Sequence, residues 1–143
     1  MPIAGYAALV FTVLLLVTTA YFLMGGLPLL ILKHDVPLDA RFVRSFFTWY
    51  YRLAFWTSLG ACLSYALWGK YAFSAGAAAI TAAMLLLRKH LLRALQDLAE
   101  RIAGEDAGAI GQFKRVHATA LSINLLQLVL VVWGVLRLSV ELS

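Results

Sequence analysis

The sequence predicts an all-α integral membrane four-helix bundle whose third helix is extended beyond the bilayer into the cytoplasm. Three observations predict it. Hydrophobic residues make up 63% of the 143 and charged residues 13%, against about 45–50% and about 25% in an average soluble domain. The apolar runs are continuous rather than alternating, which favours helices over a β-barrel. The charges gather where those runs end. A soluble fold of this composition would expose a large apolar area, and a bilayer removes that difficulty.

The first span covers 3–32, a stretch without a charge. It has no basic start and far exceeds the roughly 7–15 apolar residues of a signal-peptide core, so it reads as a retained span. Gly25, Gly26 and Pro28 interrupt its end. Pro28 removes one backbone donor and frees the carbonyl of Met24. The outcome is either a kink near the helix end or a helix break that lines a binding site.

The second span, 46–69, is charge-free from Leu53 and gains length from the aromatic stretch before it if Arg52 snorkels. A tight turn, Trp68-Gly69-Lys70-Tyr71, makes the second and third helices antiparallel neighbours, with aromatics at headgroup level. The third span, 71–87, is rich in Ala and contains Gly76, the small residues that let helices approach in lipid. Beyond Leu87 the helix continues to 102 in amphipathic form. Leu91, Leu95, Leu98 and Ile102 lie against Arg93, Gln96, Asp97, Glu100 and Arg101, and Arg93–Asp97 and Asp97–Arg101 are spaced to pair. This extension reads first as a solvated helix packed on its neighbours and second as a docking surface. Gly104 is the stop signal, and 104–111 reads as a loop. The fourth span covers 116–137. One domain, 1–143, holds all four.

Ten of the twelve basic residues flank or lie in the first and third connections, and only Lys70 and Arg137 mark the other side. The positive-inside rule puts those connections in the cytoplasm and both termini outside. The net charge of +5 thus has a topological explanation, and nucleic acid is not an expected partner. Eight Arg against four Lys, with abundant Ala and Leu, fits a bacterial inner membrane. Cys62 is the only cysteine, which excludes an intramolecular disulfide and a cysteine metal cluster.

Two sets of polar residues could carry chemistry. His34, His90 and His117 fall on the cytoplasmic side, and three imidazoles near one membrane face could bind haem or a metal ion. Against this, no His-x-x-x-His or Cys-x-x-Cys spacing accompanies them, and histidines favour interfaces in any case. His117, Asn124 and Gln127 form an intramembrane stripe on one helix face. Such groups are costly in lipid unless paired, so they point into the bundle. They serve either interhelical hydrogen bonding or a ligand or proton site. Asp35 and Asp39 could pair at the surface with Arg41, Arg44 or Arg52.

Leu27-Pro28, Leu30 and His34, followed by Arg41-Phe42 and Tyr51-Arg52, resemble the CopD-like superfamily of small membrane bundles. That group includes copper-resistance-D-type proteins, HemJ-type protoporphyrinogen oxidases and the transmembrane-protein-205-like family. Phe113, His117, Ser122, Asn124, Leu125 and Gln127 look most like the last of these. The resemblance implies a small helical bundle and, through HemJ, haem and porphyrinogen oxidation. HemJ-type enzymes carry a histidine inside the first span, however, and 3–32 contains none; His34, at the helix end, is the position that matches. The copper association of CopD-type proteins also lacks clustered Met or Cys here.

The first functional expectation is a non-enzymatic accessory, assembly or stabilising subunit, packed in the bilayer against other membrane subunits or itself. The alternative is a haem- or metal-binding redox protein of the HemJ/CopD type, and the third is an oligomeric transporter. No catalytic residues are assigned. A hydrolase is disfavoured, because no nucleophile elbow and no carboxylate that could orient a base are present.

Overall fold

The computed structural model of the chain describes residues 1–31 and 37–143; His34 and Asp35 lie outside the described residues. It contains four helices, α1 (Ile3–Leu29), α2 (Pro37–Trp68), α3 (Tyr71–Ala103) and α4 (Ala107–Leu142). They form an all-α membrane bundle. By length and composition α1, α3 and α4 can each cross a membrane. α2 does not meet that measure: its most apolar stretch, 51–68, carries Arg52 together with Trp, Tyr, Ser and Thr residues that lower its mean hydropathy. It is nevertheless the most closely packed helix, against α3 and α1; α4 sits more loosely against the same two helices.

The core-facing residues of α2 explain this. Val43, Phe47, Tyr50, Ala54, Ser58, Ala61 and Tyr65 alternate at three- and four-residue steps and are all buried, the spacing of a seam between nearly antiparallel helices. The principal core joins Val43, Phe47, Tyr50 and Ala54 to Leu15, Phe22 and Leu23 of α1, Met84 and Leu95 of α3, and Phe113, Leu121 and Val131 of α4. A smaller cluster, Ala8, Ala61, Tyr65, Ala77 and Leu138, closes the end that carries both termini. The outward faces remain apolar, as in Val10, Val13, Val17, Leu63, Leu126 and Val129. Lipid tails are the solvent that tolerates such a surface.

Two tight connections set the antiparallel order. Gly69, at φ 80°, follows α2. The amide of Lys70 bonds the carbonyl of Tyr65 at 2.9 Å, the six-to-one bond of a Schellman cap. The α3–α4 connection is shorter than the expected 104–111 loop: only Gly104, Glu105 and Asp106 stand between the helices. Asp106 is the reason. Its carboxylate accepts from the Gly108 amide at 3.0 Å and caps α4. It also takes two bonds from the Arg101 guanidinium, at 2.9 and 2.8 Å. Arg101 therefore pairs with Asp106 and not with Asp97. Arg44 donates to Gln96 at 3.1 Å; the surface pairs expected of Asp35 fall outside the described residues. Beyond Leu87, α3 continues unbroken, and its Leu95, Leu98 and Ile102 pack with Ala40 and Val43 of α2 and Ala109 and Phe113 of α4.

α1 runs through Gly25, Gly26 and Pro28 to Leu29 without a break. The two glycines are points of close approach: a Cβ at Gly25 would meet the Phe46 ring at 3.1 Å, and one at Gly26 would collide with a Leu121 methyl.

Candidate functional site

The most unusual feature of the interior is polar. Asn124 and Gln127 of α4 are 1% and 5% exposed, and His117 is fully buried. The stripe thus points inward, and the opposing helices meet it with further polar groups. Gln127 donates its amide nitrogen to the Thr19 hydroxyl on α1 at 3.1 Å. Thr19 in turn donates to the Leu15 carbonyl at 2.7 Å. The Tyr50 hydroxyl on α2 lies beside both Thr19 and Gln127, at a geometry short of a formed hydrogen bond. Tyr51 packs against Tyr50 and Phe47, with ring centroids 5.2 and 6.1 Å apart. Phe47 meets the His117 ring edge-on at 5.4 Å.

Several of these groups have hydrogen-bonding capacity to spare. Both side-chain atoms of Asn124, the Gln127 carbonyl oxygen and the Tyr50 and Tyr51 hydroxyls are buried with no hydrogen-bond partner. Unmade hydrogen bonds of this kind cost about 1–3 kcal/mol each and mark a site for polar ligands or ordered water. A separate pair, Thr81 to Ser58 at 2.9 Å, links α3 to α2 and is satisfied.

Beside this cluster a groove of about 560 Å³ opens between α3 and α4. Its walls are mostly apolar and small, with Ala72, Gly76 and Ala79 on α3 facing Leu130 and Gly134 on α4; Gln127 forms part of its lining. A Cβ at Gly76 or Gly134 would touch nothing within 4 Å, so both glycines widen the opening. Tyr65 and Thr12, bonded to each other at 2.8 Å, lie on the inner wall. At the end of the groove Lys70 bridges to Glu141 at 2.8 Å, and Arg137 lies 6.0 Å from the Trp133 ring centroid.

The histidines do not assemble into a site among the described residues. His90 is exposed on α3, whereas His117 sits in the core against Phe47. No group of three or more His, Cys, Asp or Glu able to hold a metal ion occurs among the described residues. Sequence reasoning missed Thr19 and Tyr50, whose signal was their place on the inward seams of α1 and α2, and named Tyr51 only within the CopD-like motif. No protein-family profile, curated protein or solved structure matches the chain. The CopD-like resemblance therefore rests on its short motifs, and what stands is a small polytopic helical membrane protein.

Proposed function

We propose that this chain is a non-enzymatic accessory or assembly subunit of a membrane complex, held in the bilayer by four crossings, α2 included. The observation that carries this reading is the outer face of α3. Ala75, Ala78 and Ala82 are exposed there, one above another at helical spacing. Small side chains gain little from lipid tails but let a second helix backbone approach closely. The partner is a transmembrane helix of another subunit or of a second copy. The charge distribution supports a bacterial inner-membrane orientation with both termini outside and the two basic connections in the cytoplasm.

Photo-crosslinkers placed at Ala78 and, as a control, at Val13 on α1 test this in native membranes. A single protein adduct from Ala78 and none from Val13 is the expected result, and Ala78→Trp should abolish the assembly that produces it. Equal lipid adducts from both positions would remove the reading. The haem- or metal-binding alternative has less support, since His90 and His117 occupy different environments. A histidine-dependent Soret band in the purified protein would restore it.

A further inference from the structure

The α3–α4 groove differs from the rest of the lipid-facing surface in having a polar group in its wall. Gln127 is 95% buried, yet it contributes to the groove lining beside apolar wall residues such as Leu15, Ile80, Met84 and Val131. The orientation of its amide follows from the local bonds. The Thr19 proton is committed to the Leu15 carbonyl, so the Thr19 oxygen must accept, and the amide nitrogen of Gln127 is the group that faces it. That leaves the carbonyl oxygen of Gln127 as a buried acceptor with no hydrogen-bond partner. A carbonyl oxygen takes two donors, so this one has room for a donor from a bound molecule.

We propose that this groove is a binding site for a neutral, membrane-dissolved amphiphile, with a hydroxyl-bearing head that donates to the Gln127 carbonyl oxygen as that buried side chain turns toward the groove, and an apolar tail that leaves between α3 and α4. The groove volume, about 560 Å³, falls in the range of small-molecule sites, about 300–1,000 Å³. The head is neutral because the charged groups lie at the far end. Arg137 is ten residues along α4, about 15 Å away at about 1.5 Å per residue, and Glu141 is engaged by Lys70. The tail has room because Gly76 and Gly134 leave the opening unfilled on both helices. This inference is independent of the accessory-subunit reading, which uses the other face of α3.

Trp133 lines the groove and supplies the readout. The full chain in lipid nanodiscs is titrated with 8-bromo-octan-1-ol, 1-bromo-octane and 8-bromo-octanoic acid, each of which quenches tryptophan at short range. The alcohol should give a saturable component of quenching that disappears in Trp133→Phe, while bromo-octane should quench only in proportion to its mole fraction. Gln127→Leu should weaken the saturable component about two- to twelve-fold, the worth of one hydrogen bond. Gly76→Leu should abolish it by filling the groove, and because a Cβ there meets nothing this variant keeps the test available if Gln127→Leu fails to fold. Proportional quenching by alcohol and alkane alike would overturn the proposal, the groove then holding only bulk lipid. Saturable binding of the acid alone, lost in Arg137→Ala but not in Gln127→Leu, would overturn it in favour of an anionic headgroup site at the groove end.

Discussion

Gln127 of α4 and Thr19 of α1 are 108 residues apart in sequence and joined by one 3.1 Å hydrogen bond in the bundle interior. Each is nearly or fully buried, and the bond ties together two helices that otherwise pack loosely. Hydrogen bonds between membrane helices average about 0.6 kcal/mol and reach about 1.7. A double-mutant cycle of Thr19→Val and Gln127→Leu, read by reversible unfolding in mixed micelles, should therefore give a coupling near 0.6 kcal/mol. A coupling indistinguishable from zero would mean that the two side chains are not bonded in the folded protein.

That bond also marks the limit of what hydropathy reveals. The stripe His117, Asn124 and Gln127 was readable because polar residues in an apolar run must face inward, and all three are buried. Their neighbours were not readable. Which α1 threonine and which α2 tyrosines lie opposite depends on helix rotation and crossing, and neither leaves a trace in composition. The same holds for the groove between α3 and α4. Pro28 left two outcomes open in the sequence, a kink near the helix end or a break. It lies one residue from the end of α1, which runs through it to Leu29 as helix.

The α3–α4 connection contains a residue in an unfavourable backbone conformation. Gly104 ends α3 as the sequence suggested, but its φ is −85°; the left-handed position belongs to Glu105, at φ 62°. The Asp106 amide then bonds the Arg101 carbonyl at 3.0 Å, which completes a Schellman cap with Glu in the place usually held by glycine. The left-handed conformation costs an L-residue roughly 1–2 kcal/mol, and the flexibility of glycine in the unfolded chain returns about half of that. Glu105→Gly should accordingly raise the unfolding free energy by up to about 1 kcal/mol, while Glu105→Ala, still strained, should change it by less than about 0.5 kcal/mol. A destabilised glycine variant would show that Glu105 makes a contact worth more than its strain.

The same connection should respond to acid. The Arg101 guanidinium bonded to Asp106 holds that carboxyl below the usual carboxylate range, and the amides of Gly108 and Ala109 add to the effect. A carboxyl whose folded pKa is depressed contributes stability that is present above its unfolded pKa and is lost as pH falls through the folded value. Hydrogen exchange of the bonded amides of Glu105, Asp106, Gly108 and Ala109 should accordingly show protection at neutral pH and growing exposure only below the ordinary carboxylate range. Asp106→Asn keeps a good cap but carries no charge, so its protection should be independent of pH across that interval. Acid sensitivity that persisted unchanged in the Asn variant would place the responsible group elsewhere.

Gly26 and Gly76 offer the sharpest contrast in packing. Both lie within helices, so Gly→Ala or Gly→Leu at either gains roughly 0.5–1 kcal/mol of helix propensity. Their surroundings differ. A side chain at Gly26 runs into Leu121, itself 4% exposed and unable to swing toward lipid without leaving the core. At Gly76 the space is open. Overpacking a filled core costs about 1–3 kcal/mol. Gly26→Leu should therefore destabilise by about that amount despite its better helix propensity, and Leu121→Ala in the same chain should recover part of the loss by making room. Gly76→Leu should be neutral or stabilising. Thermal unfolding in detergent, followed by the loss of near-ultraviolet circular dichroism, separates the cases. Equal tolerance at both positions would mean that α1 and α4 do not approach as closely at Gly26 as the fold requires.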